Sequence, residues 1–167
     1  MNLSNLQISV GGLTPWSGAN CEQTLSPINT GNLLRTVNGS LVYVANAAQQ
    51  KYTSVITSSD KIPAAFDNLW RGQEVQISCI TELWQKFVGN RCQLLRKYVP
   101  GSVHVSDENG RPLQFTLSPT GECECPEGTL DGFVGYRPIL AMLVTEIVQE
   151  TKEWDFVTKW CLKSEEV

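Results

Sequence analysis

Apolar and polar residues alternate along much of this chain with a period of two. The run EVQISCITELW, residues 74–84, places Val75, Ile77, Cys79, Thr81 and Leu83 on one side of an extended backbone. Gln76, Ser78, Ile80 and Glu82 fall on the other. Successive side chains of a strand point to opposite faces, so the pattern predicts one continuous strand over 74–84, dry on one side and wet on the other, as in an antiparallel sheet. LQISV (6–10) alternates up to Gly11-Gly12 and predicts a first strand. KYTSVITSS (51–59) is strand-like through its Thr, Val, Ile and Tyr content. At the C-terminal end, YRPILAMLVTEIVQE and DFVTKWCLKSEEV predict two long strands joined around Thr151-Lys152-Glu153-Trp154. Apolar residues fill every position from Ile139 to Val144, which predicts burial on both faces there. A helix competes for 139–150. The β-branched Val144, Thr145, Ile147 and Val148 favour strand.

Turn residues punctuate these runs. In LLRTVNGSLVYV, residues 33–44, two alternating stretches flank Asn38-Gly39, the signature of a β-hairpin with a two-residue type I′ turn. VHVSD and LQFTLS flank a second such pair, Asn109-Gly110. Residues 13–32 carry Pro15, Gly18, Pro27 and Gly31 and read as an irregular segment or a strand broken by turns. AAFDNLW (64–70) reads as a helical turn or a loop with its aromatics tucked in. Glycine and proline recur from Gln85 to Tyr136, and residues 86–136 are expected to form a Gly/Pro-rich flap inserted in a single β domain spanning 1–167. The expected class is all-β, an antiparallel sandwich or barrel with long hairpins.

Composition sharpens this picture. Of 167 residues only 18% are charged and 41% are hydrophobic, with a net charge of −4. Ser, Thr, Asn, Gln and Gly make up the balance, which suits weakly charged β surfaces and not a disordered chain. No Lys/Arg run offers a footprint for a phosphate backbone, so no nucleic-acid partner is expected. No stretch approaches the ~20 apolar residues of a membrane-spanning helix, and no membrane insertion is expected. The start, MNLSNLQISVGG, lacks the basic and apolar regions of a signal peptide, so synthesis in the cytosol is expected.

Reactive side chains are few. His104 is the only histidine, and no nucleophile elbow, phosphate loop or zinc-protease motif accompanies it. Glu122, Glu124, Glu127 and Asp131 cluster in one loop, which reads as a solvated acidic surface, with glycosidic chemistry the remote alternative. There are six cysteines. Cys79 and Cys161 lie in strand patterns and are expected to be core residues. Cys123-Glu124-Cys125-Pro126, with Cys92 upstream and His104 between, leaves three readings open. These are free thiols, a disulfide from Cys92 to one of the pair, and a Cys₃His metal site whose spacing departs from the usual paired pattern. No cofactor and no catalytic residue are expected. Trp154 and Trp160 are an even number apart and are expected to share a face, in the core or at a subunit contact. A sugar-stacking platform is the alternative.

LLRTVNGSLVYV, YTSVITSSDKIPAAFDNLWRGQEVQISCITEL and GYRPILAMLVTEIVQETKEWDFVTKWCLKSEEV, taken together, resemble small structural proteins encoded among the virion genes of tailed bacteriophages. The resemblance covers about half of the chain and skips 86–132. It points to a tail component such as a distal-tail, baseplate or tail-completion protein, with a head–tail connector or decoration protein as alternatives. It implies β-rich subunits assembled in rings with copies of themselves and other tail or neck proteins. The product would be made in the host bacterial cytoplasm and end in the virion, with no catalytic residues to carry over. Asn38 and Gly39 of the first hairpin, and Trp154 and Trp160 of the last, are the candidate interface residues. Exposed edges and projecting hairpins become contacts in such a ring. A carbohydrate- or receptor-binding β-module of a tail tip is the competing function.

Overall fold

A computed structural model of the chain describes residues 5–14, 17–18, 20–28, 31–44, 50–126 and 131–167. Trp16 and Glu127 therefore lie outside the described residues. Among those described there is no helix, and every strand pairing is antiparallel. The expected all-β class is the one observed.

The principal sheet has six strands. In chain order they are β1 (Gln7–Ile8), β2 (Glu22–Pro27), β5 (Tyr52–Asp60), β6 (Glu74–Ser78), β13 (Ile139–Lys152) and β14 (Val157–Glu166), arranged β1-β6-β13-β14-β5-β2. Its inner face follows the alternation of the sequence. Val75 and Ile77 from β6, Leu140, Met142 and Val144 from β13, Trp160 and Leu162 from β14 and Ile56 from β5 form one core. Phe66, from the loop over 61–73, closes it and meets Trp160 edge-on, ring centroids 5.1 Å apart. The outer face is open: Ala141 and Leu143 are exposed. The fully apolar run 139–144 is thus buried on one side only, contrary to the expectation from its composition.

A β-bulge at Thr145 reverses the parity of β13. Val144 pairs with Ser164 and Glu146 with Lys163, so one extra residue stands on the β13 side. Inward positions before it are even-numbered. After it they are odd, and Ile147 packs against the core.

The predicted strand 74–84 is broken. Cys79 N–H still bonds to Pro138 O at 2.9 Å, but the chain then leaves the sheet. Gln23 stabilises the departure. Its Oε1 accepts from Ile80 N (2.8 Å) and Thr81 N (3.2 Å), and its backbone O accepts from Thr81 Oγ1. Side-chain bonds thus replace ladder bonds for two backbone donors that would otherwise lack partners. From Leu83 the chain enters a second unit built by residues 83–136.

This second unit has two three-stranded sheets. One contains β7 (Leu83–Val88), β12 (Asp131–Tyr136) and β9 (His104–Asp107) in the order β7-β12-β9. The other contains β10 (Thr116–Leu117), β11 (Glu122–Glu124) and β8 (Arg91–Gln93) in the order β10-β11-β8. They share a core of Phe87, Leu94, Val105, Cys123, Cys125, Val134 and Tyr136. The region expected as a flap thus has buried apolar residues of its own. Several contacts tie it to the principal sheet, among them Ile139 N–H donating to Lys97 O at 2.8 Å. Arg137 donates to Cys79 O (2.8 Å) and Asn5 O (2.6 Å). Arg96 forms an ion pair with Glu166 at 2.9 Å.

The remaining pair, β3 (Asn32–Arg35) and β4 (Leu41–Val44), forms a two-stranded ribbon. Its turn is not the expected two-residue kind. Thr36 N–H bonds to Ser40 O and Gly39 N–H to Thr36 O, leaving three loop residues of which only Gly39 has positive φ, at 80°. This is a type I turn closed by a left-handed glycine. Asp107–Arg111 repeats the same pattern with Gly110. The strand after that second turn does not continue back along β9. After the bonds of Pro112 and Leu113 it crosses to β11.

Candidate functional site

The β3–β4 ribbon is the feature of the surface that most needs an explanation. Cross-strand pairing places Leu33, Leu41 and Tyr43 on one face and Leu34, Val42 and Val44 on the other. All six are exposed, from 42% for Val42 to 62% for Leu33, and Val37 at the turn is fully exposed. Among the described residues, β3 and β4 pair only with each other. A lone two-stranded hairpin is marginally stable in water, and this one presents apolar side chains on both faces. Asn38 and Gly39 lie at its tip, where they shape the turn.

The ribbon interrupts the loop between β2 and β5, which pair from Glu22↔Thr57 to Pro27↔Tyr52. It therefore leaves the principal sheet at the Tyr52 end. The β13–β14 turn lies at the other end, where Thr158 pairs with Asp60. There Trp154 is 92% exposed and Phe156 is exposed with a φ of 48°. Each end of the sheet thus carries a projecting apolar element.

Trp154 and Trp160 do not share a face. Trp154 sits in the turn before β14 begins, and Trp160 is buried, its Nε1 donating to Ser17 O at 2.8 Å. Even spacing has no meaning across a turn, and Trp160 belongs to the core, not to a contact surface. Cys79 is buried as expected, whereas Cys161 is only partly covered.

The metal candidates are divided between two sheets. Cys92 and Cys123 are direct partners in the β8–β11 ladder, and Cys125 lies two residues on from Cys123, on the same face. All three are free thiols. His104 pairs with Gly135 in the β9–β12 ladder instead. Its Nδ1 faces Ser102 O at 3.1 Å, its Nε2 lies 3.4 Å from Glu82 Oε2, and its ring meets Trp84 edge-on at 4.6 Å. The Cys₃His set is therefore not assembled. Among the described residues, no three His, Cys, Asp or Glu side chains are placed to hold an ion.

The acidic residues are in surface ion pairs. Glu124 and Glu122 flank Arg91 at 2.9 and 3.9 Å, and Asp131 lies 3.9 Å from Lys86. A groove of about 660 Å³ lies between the 63–71 segment and β13, lined by Phe66, Trp70, Arg71 and Ile147 among others. Its Glu146 is paired to Lys163 at 2.6 Å.

Sequence reading names the first hairpin as a projecting contact element but does not single out Trp84, whose exposed indole meets the His104 ring as an apolar platform. The signal for the platform was present in Gly135. A Cβ there would lie 2.7 Å from both His104 Nε2 and Trp84 Cε2, so only glycine lets those two rings meet across β12. Compared with known protein families, with curated proteins and with solved structures, the chain finds no match.

Proposed function

We propose that this chain is a structural subunit of a tailed-bacteriophage virion, a tail or baseplate ring component of the distal-tail or tail-completion kind, and that it acts by assembly and not by catalysis. The observation that carries the reading is the β3–β4 ribbon. Its exposed apolar residues lie on both faces of a hairpin that pairs with no other strand among the described residues, and contiguous exposed apolar surface of this kind marks a protein–protein contact. The occupant we assign is a neighbouring copy of the same chain. With the ribbon at one end of the principal sheet and Trp154 and Phe156 at the other, a contact joining unlike ends is heterologous. Such a contact generates a ring when its rotation closes.

Light scattering coupled to size exclusion tests this directly. The wild-type chain is expected to run as a discrete oligomer. Leu34→Asp combined with Val42→Asp is expected to run as a monomer with an unchanged circular dichroism spectrum, because neither side chain supports a core. A wild-type monomer at high concentration, both alone and mixed with tail proteins, refutes the reading. Electron cryomicroscopy of the intact particle locates the chain.

A second reading, a carbohydrate- or receptor-binding module of a tail tip, is favoured by Trp84. Its exposed indole stands beside the side chains of His104 and Glu82 on an antiparallel sheet, an apolar plane with polar neighbours of the kind that stacks on sugar rings. A glycan array probed with wild type and Trp84→Ala decides it. Wild-type binding lost in the variant supports this reading, and an array without binding removes it.

A further inference from the structure

The cysteine row of the second unit has a geometry that singles out one pair. Leu94 N–H bonds to Gly121 O, and Cys125 N–H bonds to Asn90 O. Both lie in the register that joins Cys92 to Cys123, each two residues from that pair along the ladder. Cys92 and Cys123 therefore occupy a hydrogen-bonded antiparallel site, where Cα atoms stand about 5.5 Å apart. That separation lies within the range a disulfide bridges. Cys123 and Cys125 are two residues apart on one strand, roughly 6.6 Å between Cα atoms, at the far limit for a bridge.

The three thiols also differ in access. Cys123 and Cys125 are buried, and burial, reinforced at Cys123 by the neighbouring thiols, raises both, with Cys123 pushed up to about 12. Cys92 is only partly buried. The side-chain amide of Gln85 donates to its Sγ at 2.6 Å and to Gln93 O at 2.9 Å, which fixes the sulfur against the ladder.

We propose that Cys92 and Cys123 form a thiol–disulfide couple, with Cys92 the sulfur that meets the oxidant and Cys125 a bystander that stays reduced. A hydroperoxide is the oxidant. The Cys92 sulfur attacks the terminal peroxide oxygen, the O–O bond breaks, and Cys92 becomes a sulfenic acid as the alcohol or water leaves. The Cys123 sulfur then attacks the Cys92 sulfur, its proton leaves with the hydroxyl as water, and the S–S bond forms. Two thiols lose two electrons and two protons, and one peroxide is reduced. The link joins β8 to β11 and closes the intervening chain, which carries β9 and β10, into a covalent loop.

The test uses the full chain, reduced and then exposed to hydrogen peroxide, trapped with N-ethylmaleimide under denaturing conditions and mapped by peptide mass spectrometry. A Cys92–Cys123 linked peptide with Cys125 alkylated is expected, together with a melting midpoint about 5–10 °C above that of the reduced protein. Cys92→Ser, a change at a partly exposed position, is expected to abolish the link, and Cys125→Ser to leave it intact. A link through Cys125, or three alkylatable thiols after oxidation, overturns the proposal. So does retention of one zinc per reduced chain that shields all three thiols from N-ethylmaleimide added to the folded protein.

Discussion

Arg96 and Glu166 hold the second unit against the principal sheet, and the strength of that clamp can be worked out from its surroundings. The guanidinium Nε lies 2.9 Å from Glu166 Oε1 and Nη2 lies 3.2 Å from Oε2, a bidentate pairing. Nη2 also donates to Gln50 O at 2.7 Å, Tyr52 N–H donates to Glu166 Oε2 at 2.9 Å, and the guanidinium carbon stands 4.8 Å from the Tyr52 ring centroid. The two side chains are 17% and 15% exposed. Burial works against the Arg96 charge, but the hydrogen bond and attraction of Glu166 outweigh it and raise Arg96 above its usual value. An exposed pair is worth about 0–1 kcal/mol, and breaking a fully buried one costs about 3–5 kcal/mol. This pair is nearer the second case but touches water, so Glu166→Ala is expected to cost about 2–3 kcal/mol, as is Arg96→Ala. Each single change leaves the other group poorly solvated, and the double variant removes that penalty. A double-mutant cycle is therefore expected to show coupling of about 1–2 kcal/mol. Urea denaturation followed by tryptophan fluorescence reads all four proteins. Single effects below about 0.5 kcal/mol, or strict additivity, would refute the reasoning and leave the pair as a surface ornament.

Three further outcomes follow from particular contacts. Gly135→Ala is expected to destabilise by about 2–3 kcal/mol in urea, because its methyl meets the Trp84 and His104 rings at 2.7 Å, and Trp84→Ala combined with it is expected to recover part of the loss. Trp154→Ser is expected to leave stability within about 0.5 kcal/mol, whereas Trp160→Ala is expected to cost about 3–5 kcal/mol through the lost Phe66 contact and the lost bond to Ser17 O, which keeps only the longer one from Ser58 Oγ. Thermal denaturation separates the two. Burial pushes the Cys79 thiol up from 9.0 to about 11, with Gln23 partly opposing. The unfolded thiol ionises first as pH rises, so its contribution is complete below pH 9.0 and disappears towards pH 11. That loss amounts to up to about 2–3 kcal/mol. Cys79→Ala is expected to flatten the stability–pH slope in that window, and parallel slopes would contradict the assignment.

Alternation and turn chemistry are local properties, and they are enough to determine an all-β chain, the hairpin at Asn38-Gly39 and the final pair of long strands. The exposed glycine at φ 80° in the first turn is legible for the same reason, since it depends only on its neighbours. Other features were settled at a distance. Gln23 ends the strand at Cys79, although the alternation runs on to Leu83, because it offers Ile80 and Thr81 bonds that compete with the ladder. The bulge at Thr145 shows only as a shift in the register between β13 and β14. The pairing of Cys92 with Cys123, and the separation of both from His104, depend on which strands meet across more than thirty residues. The exposure of Leu34 and Val42 was likewise beyond local reading. An apolar stripe written for a partner has the same period as one written for the chain's own core, and only the packed molecule shows which side is left uncovered.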